Sequence, residues 1–164
     1  MGYSLTIGEA AFDVDEVGDD DWIETIQDEF IRVTAVPVEL PDAPAFGEPT
    51  DGTNQRWPSY TQWYDFCERV NLLPAIFSIN EDGSAGSIRG GHPGYFPITK
   101  AFKAAIDEAY DNWKAQYPDA KAEYAQNADG EYDQANGAMC RLEWLKFWTD
   151  WALENCKMPI FNNT

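Results

Sequence analysis

Positive charge is what this chain has least of. Its 164 residues include 11 Lys and Arg against 29 Asp and Glu, a formal net charge of −18, and the first 31 residues hold ten acids and no Lys or Arg. Such a chain repels nucleic acid and anionic lipid beyond direct contact, so neither direct nucleic-acid binding nor membrane attachment is expected. Histidine is nearly missing too: His92 stands alone, which excludes a His-rich metal site. The cysteines, Cys67, Cys140 and Cys156, are odd in number and have no C-x-x-C spacing. Buried thiols in a reducing compartment fit that pattern better than a disulfide framework or a zinc knuckle. No window approaches 18 apolar residues, so no membrane-spanning helix is expected. "MGYSLTIGEAAF" lacks the basic-then-apolar order of a signal peptide, and the expected location is the cytoplasm. Met1-Gly2 through Thr6 meets the myristoylation pattern only in form, since so short a pattern recurs by chance. The signatures G-x-S-x-G, H-E-x-x-H and the kinase set are missing, and no enzymatic activity, cofactor or metal is expected.

Aromatic residues are plentiful, with seven Trp, eight Tyr and nine Phe. An acidic disordered tail does not carry that load; the chain reads as one folded domain over 1–164. Within it, 1–40 is an acidic, β-rich part, 41–58 a loop punctuated by Pro and Gly, and 59–164 mainly helical.

"YSLTIGEAAF" alternates as a strand does, and "IRVTAVPVEL" reads as a second strand that Pro37 ends or confines to an edge. Between them, Asp21 and Glu24 form a capping pair ahead of a short helix with Trp22, Ile26 and Phe30 on one face. Ser59 caps a helix with Tyr60, Trp63, Cys67 and Val70 on one stripe. "LPAIFSINEDGSAGSIRGG" suggests two short strands around a Glu-Asp-Gly turn. Thr99 opens a helix that buries Phe102, Ile106, Ala109 and Trp113 and stops at Pro118. "GAMCRLEWLKFWTDWALENC" is apolar on most faces, the pattern of a helix packed by neighbours nearly all round. The fold class is therefore α+β: three main helices on a small, mostly N-terminal antiparallel sheet, with the C-terminal Trp-rich helix central.

"GSIRGGHPGYFPITKAF", residues 86–102, invites comparison with a phosphate cradle. Neither Walker nor dinucleotide spacing is present, and Pro93 and Pro97 remove N–H donors a cradle would use. The better reading is a rigid bend leading into the helix capped by Thr99, with Tyr95 and Phe96 packing beneath it. His92 there reads as a turn histidine.

Two sets of binding residues remain. The first is an acidic face of Asp13, Asp15, Glu16, Asp19, Asp20, Asp21 and Glu24. Asp13, Asp15, Gly18 and Glu24 fit a calcium loop at its first, third, sixth and twelfth places, but Val17 at the fifth supplies no oxygen, and "NADGEYD" at 127–133 is weaker still. The second is a small-ligand or nucleotide site built on Arg56, Arg89 and His92. Beside Arg56, Trp57 is expected to pack against the Tyr60/Trp63 face as a staple.

Three segments, "DAPAFGEPTDGTNQRWPSYTQWYDFC", "GGHPGYFPIT" and "LEWLKFWTDWALENCKMPIFNN", together resemble an uncharacterised family of small proteins encoded by tailed bacteriophages and prophages. The likeness covers about two thirds of the chain, from about Pro41 onward. It implies a bacterial host cytoplasm during infection, and a role in host takeover or particle production. Residues and resemblance together favour an acidic protein-interaction module whose partner is a basic surface of a host or phage protein. Its sharpest form is a DNA-mimicking inhibitor of a defence protein. The alternatives are the small-ligand site and a minor virion or assembly component.

Overall fold

The computed structural model describes residues 1–13, 32–45, 52–123 and 133–164. The chain order is β1 (Leu5–Asp13), β2 (Arg32–Ala35), β3 (Gln55–Arg56), α1 (Tyr60–Arg69), α2 (Leu73–Ile76), β4 (Phe77–Ile79), β5 (Ala85–Ile88), β6 (Gly94–Pro97), α3 (Lys100–Gln116), α4 (Gln134–Asn155) and β7 (Pro159–Asn163). The architecture is mixed α+β, with four helices among the described residues and a curled antiparallel sheet.

That sheet runs β2-β1-β7-β6, with β3 also paired to β1. Strand β1 is long enough to serve several partners: Leu5–Glu9 pair with β7, Leu5 and Thr6 with β3, and Ala10–Asp13 with β2. The sheet takes β1 and β2 from the first 40 residues, as their alternation suggests, and its other strands from later in the chain. Its interior strand β7 comes from the C-terminus, and "GYFP", expected to be part of a bend, is edge strand β6 (Gly94↔Asn163 to Pro97↔Ile160). "PIFNN" carries two asparagines and a proline, poor strand formers by propensity. Burial decides instead, since Ile160, Phe161, Asn162 and Asn163 are all buried.

The asparagines stay because each is hydrogen-bonded. Asn162 accepts from the Ala35 N–H (3.3 Å) and donates to the Gly94 carbonyl (3.0 Å), tying β2 to the start of β6 across β7. Asn54, fully buried, donates to the carbonyls of Ile7 (2.8 Å) and Val36 (2.9 Å) and accepts from the Val38 N–H (2.8 Å). A buried amide with these bonds fixes register at little net cost; one lacking them would destabilise the sheet.

The helices follow their capping signals. Ser59 accepts from the Gln62 N–H and Thr99 from the Phe102 N–H, the side-chain bonds that satisfy first-turn donors. Helix α3 buries Phe102, Ile106, Ala109 and Trp113 and packs along α4. Helix α4 buries Met139, Leu142, Trp144, Leu145, Trp148 and Ala152 and touches β1 and β7 as well as α3. Phe96 stacks on Phe161 across β6 and β7 (4.9 Å between centroids, 9° between planes), and Phe102 of α3 meets both rings edge-on, joining the helical core to the sheet. Two expectations of packing fail. Trp57 is 49% exposed rather than stapled to α1, and Tyr60, at the solvent end of its stripe, is exposed as well. The Asp21/Glu24 helix lies outside the described residues, as does most of the 127–133 loop.

Candidate functional site

The bend 89–93 is shaped by glycine. Gly90 and Gly91 have φ of +82° and +87°, a region that side chains disfavour. A Cβ on Gly90 would stand 2.0 Å from the Tyr95 carbonyl oxygen, so no larger residue fits there. The His92–Pro93 peptide is cis. Buried Asn163 then holds the loop to β7, its amide nitrogen donating to the Gly91 carbonyl at 2.7 Å.

This amide sets the chemistry of His92. With Nδ2 of Asn163 spent on carbonyls, its Oδ1 faces Nδ1 of His92, and an amide oxygen only accepts. Nδ1 therefore carries the proton, and in the neutral ring Nε2 is an acceptor. Nε2 lies 3.0 Å from the Tyr60 hydroxyl, which donates to it. The chain Tyr60–His92–Asn163 thus links the first turn of α1, the loop and the last residue of β7. Tyr3 closes the group edge-on, 4.7 Å from Tyr60 and 5.1 Å from His92 between centroids. Its position follows from Tyr3 N–H donating to the Pro58 carbonyl (2.9 Å) beside the cap of α1. Partial burial, then Tyr60 and Cys67 nearby, push the Tyr3 phenol above its ordinary range.

Beside this group opens a cleft of about 370 Å³, lined by Tyr3, Tyr60, Thr61, Tyr64, Asp65 and His92 together with Phe77 and the Gly86–Ile88 stretch of β5. Tyr64 and Phe77 meet edge-on at 5.5 Å, a second aromatic pair in the lining. The β4–β5 hairpin, set by the Glu81-Asp82-Gly83 turn with Gly83 at φ +85°, brings its strand to the cleft.

The three residues expected to share a ligand site have different surroundings. His92 lines the cleft. Arg56 is buried, its guanidinium donating to the carbonyls of Gln55 (2.7 Å), Thr53 (3.1 Å) and Pro44 (3.2 Å) beside the Trp144 ring. Arg89 donates to the Ala75 carbonyl (2.9 Å) and lies over Phe96. Neither arginine is in the cleft lining. Of the acidic face, Asp13 ends β1 with Arg32 opposite it in register. Asp15, Glu16, Asp19, Asp20, Asp21 and Glu24 lie outside the described residues. Among the described residues, no group of three or more His, Cys, Asp or Glu is placed to hold a metal. No helix there is long and apolar enough to cross a membrane.

Sequence reading did not find Tyr3, Tyr64, Asp65 or Phe77 as cleft residues. The available signal was Tyr60 and Tyr64 at i and i+4, which share a helix face off the buried Trp63/Cys67 stripe. Tyr3 has no local signal, since a hydrogen bond across 55 residues of chain places it. Comparison with protein-family models, curated proteins and solved structures gives no match.

Proposed function

We propose that this chain is an acidic protein-interaction module that binds a basic surface on another protein, as a bacteriophage product acting in the host cytoplasm. In its sharpest form it inhibits a host defence protein by imitating the charge of DNA. The observation that carries this reading is the excess of carboxylates, 29 against 11 Lys and Arg, with several of the cations engaged within the fold. Lys103 and Lys146 are tied to Asp107 and Asp150 at 2.6–2.8 Å, and Arg56 and Arg89 are engaged with main-chain carbonyls. Asp65, Glu68, Glu81, Glu108, Asp111 and Glu154 stand exposed. Arg32, Arg69, Lys100, Lys114, Lys121 and Lys157 are exposed too, but 29 carboxylates against 11 cations leave the scaffold, with its Trp-rich C-terminal helix at the centre, a formal charge of −18 to present to a partner.

The test is the salt dependence of binding. The immobilised chain retains its partner from bacterial lysate at low salt, and that partner, purified, binds at least about tenfold more weakly when salt rises from roughly 50 to 200 mM. Affinity that stays flat over that range overturns the reading. The His92 cleft favours the small-ligand alternative instead, and a metabolite that raises the melting temperature of the wild type but not of an Asn163→Ala variant would replace the first reading with that one.

A further inference from the structure

The cleft beside His92 has an unusual combination of walls. Tyr3, Tyr60, Tyr64 and Phe77 supply π-faces and edges, Asp65 supplies a carboxylate, and no Lys or Arg is among its lining residues. The only other lining group with a cationic form is His92, both of whose ring nitrogens are already engaged, by Asn163 and by Tyr60. Aromatic faces beside an unopposed carboxylate, on a chain of net charge −18, are complementary to an organic cation and poorly suited to an anion.

We infer that the cleft receives the guanidinium of an arginine side chain from the basic partner. This deepens the proposed function and rests on it. Guanidinium fits better than ammonium on three physical grounds. It is planar and stacks on tyrosine rings, it sheds water more readily, and its forked donors match the two oxygens of Asp65. About 370 Å³ of open space accommodates the planar group with part of its aliphatic stem. Asp65 stands exposed on the second turn of α1, so it reaches the ligand without a buried charge having to be desolvated first. The hydrogen bond from Tyr60 to His92 keeps the Tyr60 ring fixed, which preserves the wall against which the cation would stack.

Three capped tripeptides of the form acetyl-Gly-X-Gly-amide, with X as arginine, citrulline or lysine, are titrated into the full chain while tyrosine ring resonances are followed by NMR. Arginine shifts the Tyr3, Tyr60 and Tyr64 rings in a saturable way. Citrulline, its neutral isostere, leaves them in place, and lysine binds more weakly. Asp65→Asn, an exposed and near-isosteric change, weakens the arginine peptide about fivefold, whereas Glu108→Gln on α3 leaves its affinity unaltered. Equal binding of arginine and citrulline, lysine binding as tight as arginine, or an unchanged affinity in Asp65→Asn each overturns the inference. A deca-arginine peptide separates this failure from that of the broader reading. If it binds wild type and Asp65→Asn alike, with no tyrosine shift, the cleft has no such role and the acidic surface remains the binding element. If deca-arginine fails to bind at low salt, both fall.

Discussion

Single side chains with internal duties decide much of this molecule. Asn163 is the clearest case, because one buried amide clamps the Gly91 carbonyl, fixes the His92 tautomer and belongs to the interior strand β7. Asn163→Ala leaves those partners to find water or nothing, and is expected to lower unfolding free energy by about 2 kcal/mol in denaturant titration. It also shifts the Tyr60 ring resonances, because His92 loses the contact that orients it. A substitution at exposed Ser87, which lines the same cleft, does neither. The thiols make a second prediction, with a sign to work out. Burial, then Glu143 nearby, raise Cys140 to about 11, and burial, then Glu9, raise Cys156 to about 11. The folded chain thus keeps protons that the unfolded chain releases near the ordinary thiol range. Stability is full below that range and declines from about pH 8.5 upward. At pH 8, Cys156, the partly exposed thiol, reacts first with a disulfide reagent and more slowly than a free thiol, while Cys67 and Cys140 wait for unfolding. Rapid labelling of all three in the native state contradicts that order.

Elements differ in how much of their stability is local. Helix α3 carries its own instructions: Thr99 at the cap, a 3.6-residue apolar stripe, and Pro118 after its end. Thr99→Ala is expected to cost about 1 kcal/mol, lowering the melting temperature by a few degrees. Strand β7 has no such local signal and depends on its neighbours, so Phe161→Ala, which empties the space between Phe96, Phe102 and Trp63, is expected to cost about 3–5 kcal/mol. Comparing the two by denaturant unfolding separates local from tertiary contributions; equal losses would contradict it. The same distinction explains what could be read from the chain. Capped, periodic segments such as 59–69 and 99–117 are visible in sequence because their signals lie within a dozen residues. "PIFNN" and "GYFP" are invisible because they become strands only by pairing with each other and with β1, whose residues are far away in sequence. The cleft was half legible. His92 stood out as the lone histidine, but Tyr3, Asp65 and Phe77 join it through contacts that no local pattern encodes. Nothing in "TNQRWPS" reveals that the Arg56 guanidinium is turned onto the carbonyls of its own loop.

At the scale of the whole molecule, two electrostatic effects oppose each other, and their sizes decide the response to salt. The Lys103–Asp107–Lys146–Asp150 cluster joins α3 to α4. It works against some desolvation of Asp107, yet the two ammonium groups hold that carboxyl below its ordinary range. These side chains are about a third exposed, so screening limits the cluster to about 1 kcal/mol or less, and added salt erodes it. Against it stands the self-repulsion of a chain at −18, spread over the whole surface and likewise screened by salt. We expect the repulsion of 18 net charges to outweigh one partly exposed cluster, so the melting temperature at pH 7 is expected to rise as sodium chloride goes from roughly 10 to 500 mM, across which the Debye length falls from about 30 Å to a few Å. Lowering the pH toward the pI near 4.1 relieves the same repulsion by protonating surface acids. Asp107 acts in the other direction: its contribution, present above the ordinary carboxylate range, is lost as pH falls through its depressed value, so stability turns down below about pH 4. In Asp107→Asn that acid downturn becomes shallower while the salt-induced rise at pH 7 persists. A melting temperature that falls with salt in the wild type would mean that local pairs, rather than the net charge, govern this molecule.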